Sequence, residues 1–257
     1  MRTFLAAGAA LSLAAGAAGQ HAGDISLGIV GGAIQTAAFD GAATTPRRVF
    51  GATCGDTGVA HFTSNPGFEA LPGTFIQGSR TGFTPLAGLR RFAGDALAPV
   101  TGGEELEVRF LTLSAVIGVN ATPGFDLAVQ SNGGWHRHFN FTLRSAGGSA
   151  PAPGVYVAEF ELYSNDGVTL PSAPFWIVFN DGASAAEHES AIAWVAANLA
   201  GGGTPCPGDL DGDGAIGASD LAAVLSAWGS PDADLTGDGD TNAADLAAVL
   251  SAWGACP

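Results

Sequence analysis

The sequence predicts a mainly β protein: an antiparallel β-sandwich with one helix at its C-terminal end, followed by a small α module built around two acidic loops. Three observations carry that reading. Residues 20–200 fall into short apolar runs split by Gly, Pro, Asn and Asp, one helical periodicity closes that region, and a loop-and-helix unit is duplicated in the last fifty residues. At 257 residues the chain can hold one sandwich of ordinary size and a small appended module.

Ahead of the first run, Met1 and Arg2 lead into an apolar stretch from Phe4 to about Ala18 built of Ala, Leu and Gly. It is too short and too weakly hydrophobic for a stable membrane span and reads as a secretory signal peptide over residues 1–19. Cleavage at the small residues Gly16, Ala18 or Gly19 leaves His21 at or beside the mature terminus. Export implies an extracellular or cell-surface compartment where disulfides persist.

The apolar runs are Ile25 to Ile34, Arg47 to Phe50, Glu105 to Val119, Asp126 to Gln130, Trp135 to Leu143, Val155 to Tyr163 and Phe175 to Phe179. Their lengths and turn residues predict the sandwich over 20–200. A helix is predicted from Ser184 to Leu199, opened by a capping box of Ser184 with Glu187. Its apolar stripe is Ile192, Val195 and Leu199, with His188 on the same face one turn earlier and so directed at the sheet.

Within Trp135–Leu143 a period of two sends Trp135, Phe139, Phe141 and Leu143 to one face and His136 with His138 to the other. Two imidazoles at alternate positions of one strand can share a metal ion. Folding the Val155–Tyr163 run back on this strand sets Phe139 against Phe160 and Glu161 opposite His138, where a carboxylate can orient the imidazole or ligate directly. His61 sits in a turn-rich stretch and carries no assigned role.

A Gly/Pro-rich linker over 201–208 separates the last module, 209–257. DLDGDGAIGASDLAAVLSAWG from Asp209 returns as DLTGDGDTNAADLAAVLSAWG from Asp234, with LAAVLSAWG identical. Each copy opens with a twelve-residue loop bearing oxygen donors at positions one, three, five and twelve and Gly at six, the pattern of an EF-type calcium loop. The first set is Asp209, Asp211, Asp213 and Asp220 with the carbonyl of Ala215. The second is Asp234, Thr236, Asp238 and Asp245 with the carbonyl of Asp240, where the hydroxyl of Thr236 makes the weaker site. Nine aspartates lie between Asp209 and Asp245 with no arginine among them, a cluster that needs cations, and two calcium ions offset part of its charge. Two short helices follow, with stripes Leu221, Val224, Leu225, Trp228 and Leu246, Val249, Leu250, Trp253 that pair against each other.

Of the three cysteines, Cys206 and Cys256 bracket this module and are expected to close it as a disulfide with Cys54 free, although the odd count leaves other pairings open. The net charge is −15 and every basic residue is arginine, so no cationic stripe suits nucleic acid.

A half EF-hand duplicated in tandem, with Asp at position twelve and Cys-Pro at each end, resembles the dockerin family. The resemblance covers residues 206–257. It implies docking to a cohesin-like partner through positions ten and eleven of each loop, here Ala218, Ser219, Ala243 and Ala244. Upstream, the succession HAGDI at His21, RVFGATC at Arg48, TSNPGFEALPGTF at Thr63, GGWHRHFNFTL at Gly133, PGVYVAEFEL at Pro153 and SAPFWIVFNDGASAAEHESAIAWVAANL at Ser172 is similar to a Zur-repressed group of secreted bacterial proteins with interchangeable C-terminal anchors of PEP-CTERM type. That resemblance implies metal handling without established catalysis, with zinc first and copper second, and carries the ligand role onto His21, His136, His138 and His188. The group's usual anchor is a sorting helix, which the dockerin-like module replaces here.

Cys54 has no neighbouring base in the sequence, and no Ser-His-Asp or H-E-x-x-H signature occurs, so the chain reads as non-catalytic. The rival expectations are a carbohydrate-binding or carbohydrate-active module, which requires an exposed aromatic row, and a purely structural surface protein.

Overall fold

The computed structural model describes residues 23–39, 44–145, 147–200, 208–210 and 215–255. The signal-peptide segment, His21, Cys206, Asp211, Asp213 and Cys256 lie outside the described residues. In chain order the strands begin with β1 (Ile25–Val30), β2 (Ala33–Phe39), β3 (Thr44–Pro46), β4 (Val49–Thr53), β5 (Phe62–Thr63), β6 (Phe68–Ala70), β7 (Arg80–Pro85) and β8 (Arg90–Phe92). They continue with β9 (Leu97–Pro99), β10 (Glu104–Phe110), β11 (Leu113–Ile117), β12 (Asp126–Ala128), β13 (Trp135–Arg137), β14 (Asn140–Ser145), β15 (Gly154–Ser164) and β16 (Phe175–Asp181). Helix α1 (Ala185–Asn198) follows, and the tail holds β17 (Ala215–Ile216), α2 (Ala218–Ser226), α3 (Ala243–Ser251) and β18 (Gly254–Ala255).

The chain is mainly β, with strand orders β13-β6-β1-β2-β3, β11-β10-β14-β5 and β12-β7-β15-β16-β4 in its three larger sheets. Two of these sheets are mixed, since β1 runs parallel to β6 and β16 parallel to β4. Two expected single runs are hairpins. Ile25–Ile34 turns at Gly31 and Gly32, whose φ values of 58° and 87° match the two left-handed positions that a tight hairpin requires. Glu105–Val119 turns between Phe110 and Leu113, with Leu111 at φ 53°.

The three sheets share one apolar core that includes Ile25, Phe68, Trp135, Leu106, Phe141 and Phe175. Phe139 stands near its centre, with ring centroids 5.3 Å from Phe83, 5.5 Å from Phe68 and 5.6 Å from Phe125. The opposite face of β15 and β16 is covered by α1, where Val155, Val157, Trp176 and Val178 pack against Ala191 and Val195. Both faces of those strands are therefore buried, which accounts for a continuous FWIVF run where a half-buried strand would alternate. The capping box expected at α1 is half present, in that the Ser184 hydroxyl accepts the Glu187 N–H.

In the tail α2 packs against α3 over Ile216, Val224, Ala233 and Val249. The expected stripes differ in their second halves: Leu225, Trp228, Leu250 and Trp253 are each about half exposed. Each helix begins two residues before position twelve of its loop, so Asp220 and Asp245 lie inside the first turn and bond back to the N–H of Gly217 and Asn242 (2.7 Å each).

Candidate metal centre

Strand β6 is three residues long and organises the site from its middle position in its part of the sheet. Its register with β1 and β13 aligns Ser26, Glu69 and His136 in one row across three strands, all on the face opposite Phe68 and Ile25. Continuing that register by one residue brings Asp24, Gly67 and His138 side by side. Backbone bonds fix the row: the Ile25 N–H donates to the Gly67 carbonyl at 2.8 Å, and the Gly67 N–H to Asp24 Oδ1 at 2.9 Å. On the other flank, Trp135 and Phe139 sink fully into the core and leave His136 and His138 facing the opposite way.

The outcome is a triangle of donor atoms. His136 Nε2 and His138 Nε2 are 3.2 Å apart, and each is 3.5 Å from Asp24 Oδ2. Among the described residues this trio is one of two groups whose ligand atoms converge closely enough to hold an ion. Zinc bonds of 2.0–2.1 Å at tetrahedral angles space ligand atoms about 3.3 Å apart, within the range seen here. His138 Nδ1 lies 2.9 Å from the Ser64 carbonyl, which can only accept. The proton of a neutral His138 ring is therefore on Nδ1, and its Nε2 presents a lone pair to the other two atoms. With its proton on Nε2, His136 donates to one of these acceptors; with its proton on Nδ1, three acceptor atoms converge, the arrangement that a cation bridges. Nitrogen donors in this number suit zinc or copper better than calcium.

The structure corrects two expected members. His188 is a core histidine of α1: its Nε2–H donates to the Val178 carbonyl at 2.8 Å and its ring packs beside Gly51, so it is not among the side chains gathered at Asp24. Glu161 does not face His138, because β14 pairs with β10 and β5, while β15 pairs with β16, β7 and β8. Glu161 stands opposite Thr84, and burial pushes its carboxyl above the usual range. The carboxylates that do adjoin the histidines are Asp24, 7 % exposed, and Glu69, 5 % exposed. Asp24 was signalled only by its place in HAGDI, three residues after His21 and directly before the first strand. Glu69 depended on a three-residue strand with no periodicity of its own.

The second convergent group is Asp234, Asp238 and Asp245 in the second tail loop. Asp234 accepts the N–H groups of Gly237 (2.7 Å), Asp238 (3.1 Å) and Gly239 (2.7 Å). Asp245 is fully buried and accepts Leu235 N–H at 2.8 Å and Thr236 N–H at 3.0 Å. These donors hold both carboxyls below the usual range, led by Gly239 for Asp234 and by Asn242 for Asp245. Thr236 donates its hydroxyl to Asp245 Oδ1 at 3.1 Å, and the side chain of Asp240 stays outside the group. In the first loop Asp220 accepts Leu210 N–H at 2.7 Å as Asp245 accepts Leu235 N–H, so the two copies cage position twelve alike. Asp209 carries a further interaction of its own, and Ala215 pairs through its backbone with Ala255. Ala218, Ser219, Ala243 and Ala244 are all exposed.

No protein-family model and no curated protein matches this chain.

Elsewhere, His61 pairs with the buried Asp181 at 2.8 Å. Next to that pair, burial first, then Asp181 and Asp56, push the Cys54 thiol up to about 12. A thiol kept protonated at neutral pH is a poor nucleophile. Trp135, Phe175, Trp176 and Phe179 are buried, so none of them supplies the exposed aromatic row that a glycan-binding reading requires. No helix among the described residues is long and apolar enough to cross a membrane.

Proposed function

We propose that this chain is a secreted, non-catalytic metal-binding protein whose β domain, a sandwich of packed sheets, takes zinc, or copper in its place, at Asp24, His136 and His138. The single observation that supports this most is the donor triangle with edges of 3.2, 3.5 and 3.5 Å. His21, three residues before Asp24, supplies the fourth ligand. The tail is a dockerin-like anchor that binds two calcium ions, through Asp209, Asp211, Asp213, Ala215 and Asp220 and through Asp234, Thr236, Asp238, Asp240 and Asp245. It docks a cohesin-like partner at the cell surface. The caged Asp220 and Asp245 and the converging Asp234 and Asp238 support the calcium reading.

Metal content decides the β-domain reading. The full chain, purified, stripped and re-equilibrated with equimolar zinc, copper and calcium, is assayed by mass spectrometry beside His136→Ala/His138→Ala and Asp24→Asn. One transition ion per wild-type chain is expected, and each variant falls below the wild type by more than the roughly 10–100-fold affinity loss typical of an outer-shell partner. Equal transition-metal occupancy in wild type and variants defeats the assignment.

A further inference from the structure

Gly67 occupies the middle of the Asp24–Gly67–His138 row, and its φ is not in the left-handed region, so backbone freedom does not explain a glycine there. Space does. A Cβ at residue 67 would lie 2.5 Å from His138 Cε1, 2.6 Å from His138 Nε2 and 2.8 Å from Asp24 Oδ1. The imidazole of His138 therefore rests directly over the position where any other residue would carry its side chain. The opposite ring nitrogen is bound to Ser64, three residues before Gly67 on the same segment, and the Gly67 N–H holds the far oxygen of Asp24. One short stretch thus grips the ring on one side, seats it on bare backbone below, and orients the carboxylate beside it.

We infer that Gly67 is the positioning residue of this metal centre: the missing side chain lets His138 Nε2 and Asp24 Oδ2 close to 3.5 Å, the spacing that a small transition ion bridges. The inference rests on the zinc reading above and goes beyond it, since it assigns the spacing of the ligand atoms to a residue that supplies none of them. A methyl group at residue 67 has two ways out. It can lift the His138 ring off its seat and break the bond to Ser64, or it can push Asp24 away, and either opens the triangle. The other glycine on this strand pair provides the comparison. Gly28 lies in β1 on the same face as Asp24 and Ser26, and a Cβ there meets no atom within 4 Å.

The test is zinc and cobalt titration of the full chain as wild type, Gly67→Ala and Gly28→Ala, followed by calorimetry and, for cobalt, by its visible ligand-field bands. Gly67→Ala is expected to lose 10–100-fold in affinity and to change the cobalt spectrum, with Gly28→Ala matching wild type. Wild-type affinity and an unchanged spectrum in Gly67→Ala overturn the inference while leaving the zinc reading in place. Failure of the wild type to bind either ion overturns the zinc reading itself. Should Gly67→Ala fold poorly, the thermal stabilities of Gly67→Ala, His138→Ala and the double variant answer without metal. The alanine at residue 67 must cost less once the ring is gone, and additive losses count against the inference.

Discussion

Two buried carboxylates share the sheet face that carries His136 and His138, and they have separate tasks. Asp24 Oδ2 belongs to the donor triangle, whereas Glu69 stands directly across from His136 in the register between β6 and β13. Its charge, in the same row as His136, makes the face more negative and favours a dication over an empty site. Glu69→Gln keeps the size and the hydrogen-bonding capacity of the side chain and removes only the charge. Zinc affinity is expected to fall about tenfold in that variant, with the melting temperature of the metal-free protein little changed. Calorimetric titration checks the affinity and a thermal scan the melting temperature, and identical zinc affinity in Glu69→Gln would remove Glu69 from the account. At this scale the sequence supplied the imidazoles but not their carboxylates. H-x-H beside Trp135 and Phe139 makes the facing legible from period alone, whereas Asp24 and Glu69 become neighbours only through pairing between strands distant in the chain.

Elements were readable in proportion to how much local pattern they carry. The α1 boundaries follow from Ser184, Glu187 and the Val195 stripe, and β15 and β16 from long apolar runs. Strands β5 to β9 are two to six residues long, lie among Gly, Pro and Asp, and escaped notice, although β6 holds the centre of the site. The expected β14–β15 hairpin failed for the complementary reason. Strand β14 returns to β10, so the segment after Ser145 crosses to another sheet and carries Glu161 away from the histidines.

One turn has a readable pH dependence. Between β15 and β16, burial opposes the ionisation of Asp166, but the N–H groups of Thr169 (2.7 Å) and Val168 (2.9 Å) and the hydroxyls of Thr169 and Ser164 outweigh it and hold the carboxyl at about 2. The folded value is depressed, so the turn's contribution is fully present above the ordinary carboxylate value near 4 and is lost as pH falls toward 2. Asp166→Ala is expected to cost about 1 kcal/mol at pH 7, as loss of a side-chain cap does, and clearly less at pH 2, where the folded carboxyl is about half protonated. Urea unfolding at the two pH values measures the difference, and a pH-independent cost would remove Asp166 from the account.

The whole molecule keeps its apolar cores apart. The sheets share one, α1 and the outer face of β15 and β16 form a second on the same strands, and the tail has a third whose members all come from residues 210–249. Among the described residues the bridge between tail and β domain is thin: Gln35 Nε2 donates to the Leu210 carbonyl at 3.0 Å, and β1–β2 residues flank α2 across a cleft of about 380 Å³. Leu210 also donates its N–H to Asp220, so the contact ends on the acidic loop itself. Cores that share no side chains unfold as separate cooperative units unless their interface is large. The repeated nine residues made the tail legible as a unit of its own, while its contact with Gln35 depends on a pairing of β1 with β2 that no local pattern announces. Calorimetric scans of the metal-free chain should therefore show two transitions, the lower from the tail. Added calcium should raise the lower one alone, because it neutralises the crowded aspartates of the folded loops, and added zinc should raise the upper one alone. At a hundredfold excess over the dissociation constant the gain is about 2.7 kcal/mol for each site filled. A single transition that moves equally with either ion would mean that the two parts fold as one, and the thin bridge at Gln35 would then be the wrong measure of their coupling.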